Sequence, residues 1–308
     1  MCGVEAASAK SALSLPYLEG ITTTGLEKMA KETIAILGGR GMLGTDLADI
    51  CRRQGFDVNV FDLPDFDVTN SQQLEQAVSA ADAIVNCAAY TDVDGAESEV
   101  ELAHRVNAEA VGRLGALAKD ADKWVLHIST DFVFDGRSDT PYVETDLPNP
   151  VNEYGKSKLA GERLLGESGC KHCILRVEWT YGLHGDNFVT KIIQRAKKDK
   201  TVKVVDDQIG SPTATAEVAK VICKLLQKKP EGIFHFASTG YVSRYEMAKF
   251  IFDKLSLDVN LLPCKTGDFV SAAVRPLNSR FDCGKIKALL NEQIEPWQVP
   301  LERFLRQL

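Results

Sequence analysis

The feature that most constrains this chain is Thr33-Ile34-Ala35-Ile36-Leu37-Gly38-Gly39-Arg40-Gly41-Met42-Leu43-Gly44, where an apolar run meets glycines spaced G-x-x-G-x-x-G. Thr45 to Cys51 continues with apolar residues at helical spacing, so the block predicts strand, tight turn, helix. That is a cradle for a dinucleotide. Gly38 permits the turn, Gly41 lets the backbone approach a pyrophosphate, and Gly44 lets the helix lie close on its strand. The helix N-terminus around Met42 and Leu43 offers unpaired N–H groups and a positive dipole end to the phosphates. A second apolar strand, Val58-Asn59-Val60-Phe61, ends in Asp62, near the roughly 20-residue offset at which an acid takes the adenosine ribose hydroxyls. Arg40 in the turn offers a guanidinium to a 2′-phosphate, so both NADPH and NADH are expected to serve. The rival phosphate loop, G-x-x-x-x-G-K-[S/T] from Gly39 to Gly44, fails because Thr45 stands where it needs lysine.

The 308 residues, 44% of them hydrophobic, can bury a sizeable core, with room for two structural units at about 150 residues each. A net charge of -7 argues against a nucleic-acid scaffold, and no apolar run approaches the roughly 18 residues of a membrane helix. The basic cluster at Lys197, Lys198, Lys200 and Lys203 reads as a solvated helix end. Several of the 8 cysteines sit inside apolar strand or helix patterns, which suits reduced thiols in a cytoplasmic protein. Cys170-Lys171-His172-Cys173 has no second pair at zinc spacing and precedes the strand Ile174-Leu175 instead of opening a helix. Neither a metal nor a redox role is expected of it.

Residues 1 to 31 stand outside the pattern and read as a tail, without the apolar stretch of a signal peptide or the arginines of a mitochondrial transit peptide. From residue 32 onward, strands and helices alternate. Asp82 to Ala89 is a buried strand ending in small residues, and a helix follows from about Ser98 to Ala118. Trp124 to Ile128 is a strand that delivers Ser129-Thr130-Asp131 to the same sheet edge, and a helix starts near Asn152. Further strands are expected at Ile174 to Val177, Lys203 to Val205 and Gly232 to Phe236, and helices at Val218 to Leu226 and Tyr245 to Leu255. Right-handed crossovers then make a doubly wound parallel α/β sheet the economical fold, with ligands at the carboxyl ends of its strands. Residues 32–176 with about 201–238 are expected to form the nucleotide-binding domain. Residues 177–200 and 239–308 are expected to form a smaller substrate domain.

The glycine turn, Asn86-Cys87-Ala88-Ala89, Ser129-Thr130 and Tyr154-x-x-x-Lys158 stand in the order and spacing of the extended short-chain dehydrogenase/reductases. Five further stretches narrow the resemblance to the dTDP-4-dehydrorhamnose reductase family over about residues 33 to 305. They are Ser129 to Gly136 (STDFVFDG), Glu144-Thr145-Asp146, Tyr154 to Glu162 (YGKSKLAGE), Asp207 to Thr213 (DQIGSPT) and Arg275 to Arg280 (RPLNSR). The resemblance implies reduction of the 4-keto group of a nucleotide sugar with NADPH or NADH, and is compatible with a homodimer. It implies that Thr130, Tyr154 and Lys158 are catalytic and that Ser129, Thr130 and Trp179 meet the substrate, although Trp179 reads equally well as a core residue. It also places Asp65, Phe66, Ala88, Ala89, Tyr90 and Thr91 in the cofactor site with Tyr154 and Lys158. The residue types fit the chemistry. A hydride arriving at a ketone builds negative charge on oxygen, and a phenol can deliver the proton. Lys158, one helical turn from Tyr154, is expected to lower its pKa and to hydrogen-bond the nicotinamide ribose.

One departure stands out: Glu178 occupies the position before Trp179 where the family usually has a small hydroxyl residue. Two rivals remain at this level, a reductase of another 4-keto nucleotide sugar and a binding protein like the regulatory subunit of methionine adenosyltransferase.

Overall fold

The computed structural model describes residues 31–308, so all but the last residue of the expected tail lies outside the described residues. The chain builds β1 (Thr33–Leu37), α1 (Met42–Arg53), β2 (Asp57–Phe61), α2 (Ser71–Ser79), β3 (Ala83–Asn86), β4 (Trp124–Thr130) and β5 (His172–Val177). With Gly232–Phe236 these strands form one parallel sheet, in the order β2, β1, β3, β4, β5, Gly232–Phe236. The winding reverses between β1 and β3. At such a reversal the connections leave on opposite faces and open a crevice outside the carboxyl ends of the strands.

Alternation along the strands explains the two layers of helices. Ile34 and Ile36 face the side covered by α1 and the helix Thr215–Lys228, where Leu47, Cys51, Val218 and Ile222 are buried. Ala35 and Leu37 face the side of α2 and the helix Ala110–Asp120, with Leu74, Val111 and Leu114. A strand buried on both faces has no polar side, which is why these segments read as continuous apolar runs.

A further hydrophobic cluster is built from the helices Phe188–Lys198, Arg244–Leu255 and Gln298–Leu305, with Trp179 and Tyr181 at its edge. The strand Thr201–Val205 pairs with Asn260–Cys264 and buries Val202 and Val204 in this cluster, not in the nucleotide-binding half to which its position in sequence assigns it. Conversely, Phe281, Cys283 and Ile286 pack into the core of the main sheet.

Two local departures from the sequence pattern shape the crevice. The helix expected over Ser98 to Ala118 is interrupted by a π-turn at Arg105–Glu109, between Val100–His104 and Ala110–Asp120. Such bulges re-aim side chains, and here Asn107 is turned inward to meet the helix Glu153–Glu167 through Ser157 at 3.0 Å. The two backbones meet at Gly161, where a Cβ would lie 2.0 Å from the Asn107 carbonyl oxygen. The strand β5 begins at His172, so Cys173 of the CxxC is buried within it.

Gly161→Ala therefore places a methyl group inside a backbone oxygen that cannot yield without moving the π-turn. It should lower unfolding stability by about 1–3 kcal/mol, the usual cost of overpacking, in a urea titration. A variant as stable as the parent would contradict this packing.

Candidate active site

The glycine turn is built as its spacing predicts. Gly38 adopts φ +71, and a Cβ there would lie 2.6 Å from the backbone nitrogen of Ala88, so the turn and the end of β3 touch backbone to backbone. α1 starts at Met42 with Gly41 as its N-cap and no side chain capping it, which leaves that helix end to a ligand. The turn opens into a cavity of about 610 Å³ at the crevice. Gly38, Gly41, Met42, Leu43, Gly44, Asp62, Phe66, Ala88, Ala89 and Thr91, all expected at the cofactor, are among its lining. Ser129, Thr130, Tyr154, Lys158 and Trp179 line it too.

Three expected cofactor residues are not brought into this cavity. The Tyr90 hydroxyl donates to Glu99 Oε2 at 2.9 Å, and its backbone is held by Asn107. Arg40 and Asp65 face each other outside the lining, the guanidinium donating to Asp65 Oδ2 at 2.6 Å and to the Leu63 carbonyl at 2.9 Å. Asp62 does reach the cavity, but its two oxygens already accept from the backbone N–H groups of Arg40 and Leu63. Its carboxylate thus shapes the turn in addition to any role toward a ribose.

Tyr154 enters from the first turn of the helix Glu153–Glu167. That helix is capped by Asn152, whose Oδ1 accepts from Gly155 N at 2.8 Å. The phenol packs edge-on against Phe132, with ring centroids 5.5 Å apart. Desolvation pushes it up to about 12, while the adjacent Thr130 hydroxyl pulls it down and the Asp131 carboxylate adds to the rise. The expected lowering of the phenol by Lys158 is absent, because the amine points elsewhere. Lys158 Nζ donates to the Ile128 carbonyl at 2.7 Å and lies 3.3 Å from His127 Nε2.

The tautomer of His127 follows from its other side. The Asn86 oxygen accepts from Ala88 N, so the Asn86 amide donates to His127 Nδ1 at 3.1 Å. The imidazole proton is thereby left on Nε2, facing the amine. Burial, reinforced by Lys158, holds His127 well below its usual range, and burial brings Lys158 down to about 8 despite the attraction of Glu162. Near neutral pH the site therefore pairs a protonated phenol with an amine close to its titration point.

Beyond Phe132 and Trp179 a second cavity of about 460 Å³ adjoins the first, the two sharing those rings as lining. Arg244 and Arg275 both line it, and the Arg244 guanidinium lies 3.6 Å from the Trp179 ring centroid and 4.8 Å from that of Phe188. No motif marks Arg244 in the sequence, because only the fold carries its helix to Trp179. Trp179 sits in the further hydrophobic cluster with φ +47 and also lines both cavities.

Two buried carboxyls flank this region. Asp131 accepts from the hydroxyls of Ser279 and Thr130, and Glu178 accepts from Ser211 N at 2.8 Å and Phe281 N at 3.2 Å. Burial raises Asp131. Burial and, secondarily, Asp131 raise Glu178 well above the usual carboxylate range. Ser129 Oγ, also buried, has no hydrogen-bond partner among the described residues and borders the first cavity. A buried orphan hydroxyl costs free energy unless something pairs with it. No group of three or more His, Cys, Asp or Glu residues among those described could hold a metal ion, and no described helix is long and apolar enough to cross a membrane.

A family described as RmlD substrate binding domain matches residues 32–308. The chain is 38% identical over 286 residues to the dTDP-4-dehydrorhamnose reductase of Aggregatibacter actinomycetemcomitans, covering 88% of this chain and 97% of that protein. It is 34% identical over 294 residues to the enzyme of the same name from Escherichia coli (strain K12), with 89% and 97% covered. Among solved structures, dTDP-4-dehydrorhamnose reductase from Bacillus anthracis in complex with NADP superposes with a TM-score of 0.87 at 38% identity, over 90% of this chain and 100% of that one. A UDP-glucose 4-epimerase of Thermus thermophilus complexed with NAD, at 18% identity and a TM-score of 0.77, shares the fold.

The raised pKa of Glu178 has a thermodynamic signature. The folded state keeps its proton to higher pH than the unfolded chain does, so the stability due to this group is greatest below the ordinary carboxylate range and is lost as pH rises through the folded value. Glu178→Gln should remove that slope. In urea titrations from pH 4.5 upward, wild type should lose stability relative to the variant as pH rises, whereas a constant offset would contradict the assignment.

Proposed function

The chain belongs to the dTDP-4-dehydrorhamnose reductase family, and from that premise we propose that it reduces the 4-keto group of dTDP-4-dehydro-L-rhamnose to give dTDP-L-rhamnose, with NADPH as reductant. The observation that carries this reading is a pair of adjoining cavities that share Phe132 and Trp179. A dinucleotide turn lies at one end, the Ser129, Thr130 and Tyr154 hydroxyls lie in the middle, and an arginine sandwiched by aromatic rings lies at the other end.

The cradle fits a nicotinamide dinucleotide. The space a Cβ would fill at Gly38 is taken by backbone, and the uncapped start of α1 is free for a pyrophosphate. Met42 and Leu43 would hold the phosphates, and Asp62 with Ala88, Ala89 and Thr91 would line the adenosine and ribose. Lys158 would meet the nicotinamide ribose. Arg40, at the rim with Asp65 as its present partner, would exchange that carboxylate for a 2′-phosphate. When bound, the reduced nicotinamide supplies a hydride.

Tyr154 delivers the matching proton. A phenol held near 12 is fully protonated at neutral pH, so the proton is in place when negative charge grows on the carbonyl oxygen. The Thr130 hydroxyl beside it, which donates to Asp131 in the free protein, would turn to that charge and stabilise the resulting phenolate. Ser129, whose hydroxyl has no hydrogen-bond partner among the described residues, would bind the sugar. Arg244 would take the diphosphate while Trp179, Phe188 and Phe132 pack around the nucleotide. A homodimer is part of the same proposal only as the assembly in which the family reading would place the chain.

The test is turnover by the isolated protein. With NADPH and dTDP-4-dehydro-L-rhamnose, wild type should consume cofactor and yield dTDP-L-rhamnose, and Tyr154→Phe should lower kcat by roughly 100-fold or more while NADPH still binds. A fully active Phe variant would remove Tyr154 from its role. A wild-type protein that binds NADPH but reduces no 4-keto nucleotide sugar would favour a binding subunit instead.

A further inference from the structure

Asp94 lies just past the β3 end, next to Val93 of the cofactor-side cavity, yet its carboxylate is bound entirely by a segment some 180 residues away that walls the second cavity. Oδ1 accepts from Ser271 Oγ at 3.0 Å, from Ala273 N at 3.0 Å and from Arg275 Nη1 at 3.2 Å, and Oδ2 accepts from Arg275 Nη2 at 2.6 Å. Ser271, Ala273, Val274 and Arg275 all line that cavity. A carboxylate holding a guanidinium through both oxygens is among the stronger polar contacts a protein surface offers. Arg275 above all, with the backbone N–H of Ala273, draws Asp94 down to about 2, so the contact persists at any physiological pH.

A second tether converges on the same segment. Asn152 caps the Tyr154 helix with its Oδ1 and donates from Nδ2 to the Val274 carbonyl at 2.7 Å. Of residues 271–275, Ala273 alone is buried. Val270 and Val274 are largely exposed, and Phe269 and Leu277 stand partly in solvent. Without the ties the segment has little buried apolar surface to fix it.

Resting on the functional reading above, we propose that Asp94 is a positioning residue. With Asn152 it latches residues 271–275 as the outer wall of the nucleotide-sugar cavity, in register with both the β3 loop and the helix that carries Tyr154. The nucleotide end of the substrate and its reacting carbonyl are thereby located by one scaffold, and binding of the remote nucleotide orients the sugar against the phenol. Asp94 touches neither cofactor nor substrate in this account. It acts through the wall.

The experiment uses the full chain as wild type, Asp94→Asn and Asp94→Ala, with dTDP as the binding probe and the nucleotide sugar as substrate. In Asp94→Ala the Kd for dTDP and the KM for the sugar should rise about 10-fold or more, kcat should fall by less, and the Kd for NADPH should stay within about 2-fold. Asp94→Asn, which keeps an oxygen for Ser271 and Ala273 but loses the charge opposite Arg275, should fall between the two. Elastase should cut after Ala272, Ala273 or Val274 faster in both variants than in wild type.

Unchanged dTDP affinity and sugar KM in an Ala variant that binds NADPH normally would overturn the latch. So would equal losses of NADPH and dTDP affinity, which would confine Asp94 to the cofactor loop. If Asp94→Ala fails to fold, the Asn variant decides by the same criteria. Should wild type bind dTDP yet reduce no 4-keto sugar, the functional reading fails, while the dTDP and elastase comparisons still judge the latch.

Discussion

At the carboxyl edge of the sheet, backbone lies against backbone with no side chain between. Gly38 sits where a Cβ would be 2.6 Å from Ala88 N, and Gly155 where one would be 2.1 Å from the Phe132 carbonyl oxygen. The first contact closes the dinucleotide turn onto the end of β3. The second seats the first turn of the Tyr154 helix on the segment that follows β4. Any larger residue would push these segments apart and spread the cavity by more than the half-ångström tolerance of a reacting site. The hydroxyls of Ser129, Thr130 and Tyr154 converge because these approaches hold.

The polar groups behind the cavity are fixed with equal economy. Arg176 of β5 donates to Glu162 through Nε at 2.9 Å and Nη2 at 2.6 Å, both side chains fully buried, and so ties the Tyr154 helix to the sheet. Such a pair adds little net stability over an apolar one, but losing one partner strands a charge, which makes the arrangement hard to vary. Asn86 and His127 form a second chain that ends at Lys158. Burial there keeps Lys158 near 8 instead of its ordinary value, against the attraction of Glu162. A ligand that offers oxygens to Lys158 would favour its ammonium form and raise its pKa back toward the ordinary value.

Much of this was legible in the sequence, for identifiable reasons. Gly38, Gly41 and Gly44 answer to a local geometry that three residues specify, and Tyr154 and Lys158 share a helix face by spacing alone. The alternating run from Thr33 to Phe236 allowed few folds other than a doubly wound sheet. What escaped depends on contacts between distant segments. Arg244 is an ordinary residue at the start of an amphipathic helix until the fold sets it over Trp179. Asp94 and Arg275 meet across 181 positions. Asn107 reads as mid-helix until a π-turn swings it inward. Tyr90, Arg40 and Asp65 failed to reach the cavity because each found a nearer partner, in Glu99 for the first and in one another for the other two. Glu178, visible as a departure from the family pattern, turned out to hold two backbone N–H groups from separate loops, a demand a small hydroxyl could not meet in the same way. The strand Thr201–Val205 joined the further hydrophobic cluster because its pairing partner, Asn260–Cys264, lies about 60 residues downstream, beyond the reach of periodicity.

The central claim is that two adjoining cavities bring a reduced nicotinamide and a 4-keto nucleotide sugar together over Tyr154. The most direct measurement is a single turnover of the wild-type protein with NADPH deuterated at the transferable C4 position and dTDP-4-dehydro-L-rhamnose, followed by mass analysis of the nucleotide sugar. The account predicts dTDP-L-rhamnose one mass unit heavier, with the deuterium at sugar C4. Recovery of unreduced sugar, or of reduced sugar without the label, would contradict it.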